Sequence, residues 1–149
     1  MRQCRARSHG AGGAASGLRR MNGPVTGGCL CGAVRVTATG APDRVCVCHC
    51  MDCRKHHGAL FYAAAIYAPH QLRIEGETRD HKGRHFCPVC GSSVYAVSGE
   101  EIELHLGALD RPDMIRPTYE VWTCRRESWL PPFPGLPGYP VDRPGDLPG

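Results

Sequence analysis

Apolar and polar residues alternate along "AVRVTA" (33–38) and "RVCVCHC" (44–50), the two-residue period of a strand with one buried face. "ALFYAAAIYA" (59–68) is almost wholly apolar and reads as a strand buried on both sides. "QLRIEGE", "SVYAVS", "EIELHLGAL" and "PTYEVWTC" continue the series as short strands punctuated by Gly and Pro. "MDCRKHHG" (51–58) fits one or two helical turns closed by Gly58. No long helical period occurs. The expected fold is mainly β, with small helical turns.

The two ends lack this pattern. Residues 1–23 are rich in Gly, Ala, Ser and Arg and read as a disordered basic segment. Such a segment has the composition of a transit peptide, but the simpler reading takes Met21 as the true start. Residues 131–149 contain seven of the thirteen prolines and four glycines, which fits extended, polyproline-like chain. Trp129, Leu130, Phe133, Leu136 and Tyr139 are placed to staple its first part to the domain. The expected organisation is a folded domain over 24–140 and a flexible tail over 141–149.

A chain of 149 residues is sized for one domain with a modest core. Its formal charge of +4 misleads. Residues 1–20 hold five arginines and no acid, so removing them leaves 13 basic and 14 acidic residues, a net of −1. A near-neutral folded part has no electrostatic footprint for nucleic acid. No apolar run reaches membrane-spanning length. The expected partners are therefore small molecules, with no nucleic acid and no membrane.

Ten cysteines carry most of the chemical information. They cluster at x and x-x spacings, where a bridge between neighbours closes a strained ring, and no convincing apolar signal region precedes them. Reduced, metal-binding thiols in the cytoplasm fit this pattern better than disulfides. "CPVCG" offers Cys87 and Cys90 from a tight turn in which Gly91 permits a positive φ. "GGCLCG" offers Cys29 and Cys31 in the same manner. Together the two pairs number the four ligands that a closed, structural site needs, although spacing alone leaves open which pairs share an ion.

The central run contains Cys48, Cys50 and Cys53, three ligands of the number that catalytic zinc sites use while keeping a fourth position for water or substrate. A closed alternative uses a fourth protein ligand. Cys46 is the first candidate because it shares a strand face with Cys48, and His49, His56, His57 and Cys124 are others. Arg54 and Lys55 could offset the net negative charge of three thiolates on Zn²⁺. His56 and His57 could move a proton, as could Asp52, whose alternative role is to cap the short helix. His70, His81, His85 and His105 read as structural.

With "GGCLCGAVRV", "CHCMDCRKHHGA", "FCPVCGSSVY" and "LGALDRPDMIRPTYEVWTCRRESWL" in place, the sequence resembles the glutathione-dependent formaldehyde-activating (GFA) enzymes and centromere protein V domains. The resemblance covers roughly residues 27–139 and fills all seven family cysteine positions; Cys46 is an addition to that pattern. It implies a tent-like fold of several short, coiled antiparallel sheets stapled by zinc, similar to methionine-R-sulfoxide reductases. It also implies two zinc ions per chain: a structural Cys4 site on Cys29, Cys31, Cys87 and Cys90, and an active-site ion on Cys48, Cys50 and Cys53. The implied activity is that of a carbon–sulfur lyase forming or cleaving a thiol–aldehyde adduct such as S-(hydroxymethyl)glutathione, with a small thiol or aldehyde as substrate, glutathione among them. The competing reading is a non-catalytic zinc module that binds a thiol metabolite or a protein partner.

Overall fold

The computed structural model describes residues 23–146 and forms two sheets with little helix. The N-terminal segment up to residue 22, Met21 included, and the last three residues of the tail lie outside the described residues. The smaller sheet has the order β1-β2-β5, from Val25–Gly28, Arg35–Ala38 and Leu72–Glu75. The larger has the order β10-β3-β4-β9-β8-β7-β6. Its strands are Arg44–Cys48 (β3), Tyr62–Tyr67 (β4), Arg79–His81 (β6), Arg84–Phe86 (β7), Ser93–Ser98 (β8), Glu101–His105 (β9) and Tyr119–Val121 (β10). Neighbours are antiparallel except β10 and β3, which run parallel.

The centre of the larger sheet is buried on both faces, which accounts for its apolar sequence. Val45, Ala65, Tyr67 and Leu104 enter a core shared with Val25, Val34 and Val36 of the smaller sheet. Cys46, Cys48, Tyr62, Ala64 and Ile66 point to the opposite face and pack with Tyr119 and Val121. The alternation of successive side chains therefore sorts β3 and β4 between a structural face and a cysteine-bearing face. The pairing of Ala64 with His105 and of Ile66 with Glu103 places both β9 residues on that second face.

The β6–β7 hairpin is absent from the hydrophobic pattern because its strands are charged and exposed or half-buried. Its turn explains it: Lys82 at φ 52 and Gly83 at φ 76 are both left-handed, the two-residue geometry that matches strand twist.

The Pro-rich chain covers the free edge of β10. The N–H groups of Glu120 and Tyr139 donate to Pro137 O and Glu120 O at 2.9 and 2.8 Å. Trp122 Nε1 donates to Asp142 at 2.8 Å, and Tyr119 donates to Asp146 at 2.8 Å. This covers an edge that would otherwise present unpaired backbone groups. Phe133 packs against Phe61 with ring centroids 5.0 Å apart, and Tyr139 packs against Tyr119 at 6.0 Å. Trp129, by contrast, is largely exposed. Among the described residues no helix is long and apolar enough to cross a membrane.

Candidate metal centres and the adjoining cavity

The four sulfurs of Cys29, Cys31, Cys87 and Cys90 all lie within 4.8 Å of one another. Cys29 and Cys31 are 3.5 Å apart, and Cys31 and Cys87 are 3.7 Å apart. Tetrahedral zinc with bonds of about 2.3 Å sets its sulfurs about 3.8 Å apart, so this donor set fits the ion. Backbone geometry prepares the pocket. Val34 N–H donates to Cys29 Sγ at 3.2 Å, and Gly91 turns the second pair at φ 76. Ser92 ties the two turns together, accepting from Leu30 N–H at 3.1 Å while its hydroxyl lies 3.3 Å from Cys90 Sγ. Hydrogen bonding by the Ser92 side chain, then by its backbone, lowers the Cys90 thiol to about 5, toward the thiolate that a metal requires.

Cys48, Cys50 and Cys53 form a second group within 4.8 Å. β3 ends at Cys48, and the turn that follows brings Cys50 back as the N-cap of the helix Met51–His57 (α1). Cys50 N–H donates to Cys48 Sγ at 3.5 Å, and Cys53 N–H donates to Cys50 Sγ at 3.4 Å. Hydrogen bonding from Cys48 and then Cys53 drives the Cys50 thiol down to about 2, while the Cys48 thiol rises, chiefly through Cys50. Cys50 thus sits as the N-cap of α1, and Gly58 closes the helix at φ 60.

Neither Cys46 nor Cys124 belongs to this sulfur group. Cys46 packs among Tyr119, Tyr62 and Ala64, and burial raises its thiol to about 12. His49 turns behind the cluster, where its Nε2 meets Glu120 Oε2 at 2.9 Å in a fully buried pair. Asp52 is an exposed side chain, 3.7 Å from Arg84. Arg54 is committed elsewhere: it donates to Arg125 O at 2.9 Å and pairs with Glu127.

Beside the triplet lies a cavity of about 150 Å³, walled by Cys53, His57, Tyr62, Lys82, Arg84, Glu103 and His105. The charged hairpin thus supplies the two cations of the wall. His57 stacks on Tyr62 with centroids 4.8 Å apart and meets His105 edge-on at 4.5 Å. Tyr62 donates to Glu103. Burial, then His56 and Arg84, lowers His57 to about 4. Burial, then His57, holds His105 well below its ordinary value. A larger groove of about 290 Å³ on the outer side of α1, lined by Met51, Arg54, Lys55 and Leu60, has no cysteine or histidine in its wall.

His105, expected from the sequence to be structural, lines the cavity. The two-residue period puts Glu101, Glu103 and His105 on one strand face, which in sequence reads as the polar, solvent-facing side, so it gave no signal that His105 is buried. Arg84 and Lys82 gave no signal either, because the hairpin that delivers them has no hydrophobic pattern.

No curated protein sequence matches this chain significantly. A Rhodobacter sphaeroides protein of known crystal structure is similar at 24% identity and a TM-score of 0.46, covering 58% of this chain and 91% of that one. The family described as glutathione-dependent formaldehyde-activating enzyme matches residues 24–125, a span that includes both cysteine groups and every ionisable residue of the cavity wall, and the chain belongs to that family.

Proposed function

We propose that the protein is a zinc-dependent carbon–sulfur lyase that forms or cleaves a thiol–aldehyde adduct such as S-(hydroxymethyl)glutathione. The carrying observation is the juxtaposition of a three-sulfur group with an ionisable cavity that shares Cys53 as a wall. Cys29, Cys31, Cys87 and Cys90 hold a structural ion that staples the first hairpin to the turn after β7. Cys48, Cys50 and Cys53 hold the second, which when bound supplies a Lewis-acidic position for the thiolate or the aldehyde oxygen.

The chain's own groups meet the remaining needs. Arg84 and Lys82 place positive charge beside the cavity, where three thiolates leave an excess of negative charge. His57 and His105, kept neutral by burial, can accept a proton. Tyr62 and Glu103 fix the floor through their hydrogen bond.

The test mixes formaldehyde and glutathione with the zinc-loaded protein and follows exchange of the adduct by NMR. Acceleration above the uncatalysed rate is expected. An unchanged rate at stoichiometric protein rejects this substrate pair.

A further inference from the structure

Ser93 occupies a place that the proposed lyase chemistry has not yet used. Its Oγ lies 2.7 Å from His56 Nε2 and 3.0 Å from His105 Nδ1, so one hydroxyl bridges a half-buried histidine of α1 and a buried histidine of β9. A serine hydroxyl donates one proton and accepts others, so the bridge has two internally consistent arrangements. In one, His56 Nε2–H donates to Ser93, Ser93 donates to His105 Nδ1, and His105 carries its proton on Nε2. In the other, His105 Nδ1–H donates to Ser93, Ser93 donates to His56 Nε2, and His105 Nε2 is bare. Nδ1 lies on the Ser93 hydroxyl and the ring lines the cavity, so the relay assigns Nε2 to the occupant.

We propose that His105, Ser93 and His56 form a proton relay that runs from the cavity to the half-buried His56 of α1, with His105 as the catalytic residue and Ser93 as the positioning residue. The proposal rests on the lyase reading for its substrates. On addition, the thiol gives its proton to His105 Nε2, His105 Nδ1–H passes one to Ser93, and Ser93 passes one to His56. The sulfur lone pair forms the C–S bond, and the C=O π pair becomes the alkoxide. The alkoxide takes the proton from His105 Nε2, and the relay runs back, leaving His56 as it began. The thiol proton ends on the new hydroxyl, and no other reactant is consumed. Net charge rests during the step on His56, half-buried and itself lowered by burial and then by Arg84 and His81, rather than on His105, which is only 3% exposed. Relayed transfer through a hydroxyl thus suits a buried base better than direct protonation.

The experiment uses the zinc-loaded full chain with ¹⁵N-labelled histidine. Glutathione is added first, without aldehyde. His105 is expected to change from the Nδ1–H to the Nε2–H tautomer while His56 shifts to the imidazolium pattern. Unchanged ring shifts on both, at saturating glutathione or with no binding, overturn the relay. Adduct exchange is then compared across variants. Ser93→Ala and His105→Gln are each expected to slow it about 100-fold, with zinc content and amide spectrum retained, and Ser93→Thr to restore most of it. Rates within about threefold of the wild type in both variants overturn the proposal while leaving the lyase reading intact. No acceleration by the wild type together with the expected ring shifts rejects the formaldehyde–glutathione reaction and supports the relay alone.

Discussion

Glu120 on β10 and His49, between two cysteines of the triplet, form a hydrogen-bonded pair at 2.9 Å with both side chains essentially inaccessible to solvent. The same carboxylate accepts from Arg126 at 3.0 Å and from Phe133 N–H at 2.9 Å. One buried acid therefore joins the triplet strand to the Pro-rich chain that covers β10. Removing one partner from a buried charged network leaves the others unpaired, at a cost of about 3–5 kcal/mol. Glu120→Ala is expected to lose that much in denaturant unfolding of the zinc-loaded protein. A loss below about 1 kcal/mol would show that the network contributes no more than an exposed pair does.

Two cysteine substitutions separate the roles proposed for the two cysteine groups. Cys87 is fully buried in the core, at a turn linking β7 to β8, whereas Cys53 lies on a short helix with no buried residue. Binding free energy at a structural site is folding free energy. Cys87→Ser is expected to unfold the domain or greatly lower its melting temperature. Cys53→Ser is expected to reduce bound zinc from about two ions per chain toward one with the fold retained, as read by metal analysis and circular dichroism. Equal unfolding by both variants would reject the division into a structural and a functional centre.

Much of this was legible in the sequence, for identifiable reasons. The apolar period set β2, β3, β4, β8 and β9, because those strands bury at least one face. Cysteine spacing separated the two sulfur groups, because a tight turn between ligands is a local property. The cavity was not legible. It depends on register: Arg84 reaches it through the pairing with Ala96 and of Ala96 with Glu103, relations between residues distant in the chain. Asp52 and Arg54 lie next to the ligands in sequence but neither lines the cavity: Asp52 is exposed beside Arg84, and Arg54 pairs with Glu127, so proximity along a helix was a poor guide to function.

Acid should destabilise the protein through its histidines. His57 is held down to about 4, first by burial and then by His56 and Arg84, against an unfolded value of about 6.5. Between those values the unfolded chain binds more protons than the folded one. The stabilisation is thus complete above about pH 6.5, declines as pH falls toward about 4, and is lost below it. His105 shifts in the same direction. The melting temperature is expected to drop through this window, and His57→Gln to flatten the slope without abolishing it. A variant slope equal to that of the wild type would remove His57 from the account.

Cys46 provides the sharpest check on the ligand set. It lies two residues before Cys48 on the same strand and face, and residues so placed stand about 6.6 Å apart along the chain, well beyond the sulfur spacing of about 3.8 Å on one zinc ion. Cys50 escapes this limit because the strand ends at Cys48 and the chain turns. Cys46 remains in the ladder, paired with Ala64 on one side and Tyr119 on the other, so its backbone is held at the strand spacing from Cys48. Its thiol is pushed up to about 12 by burial and then by Glu103, and it packs among the apolar residues of the second face. Cys46→Ala should therefore leave zinc content and adduct exchange unchanged and cost about 1 kcal/mol in stability from the small void it creates. Loss of one zinc ion from this variant would make Cys46 the fourth ligand and close the position on which the proposed chemistry depends.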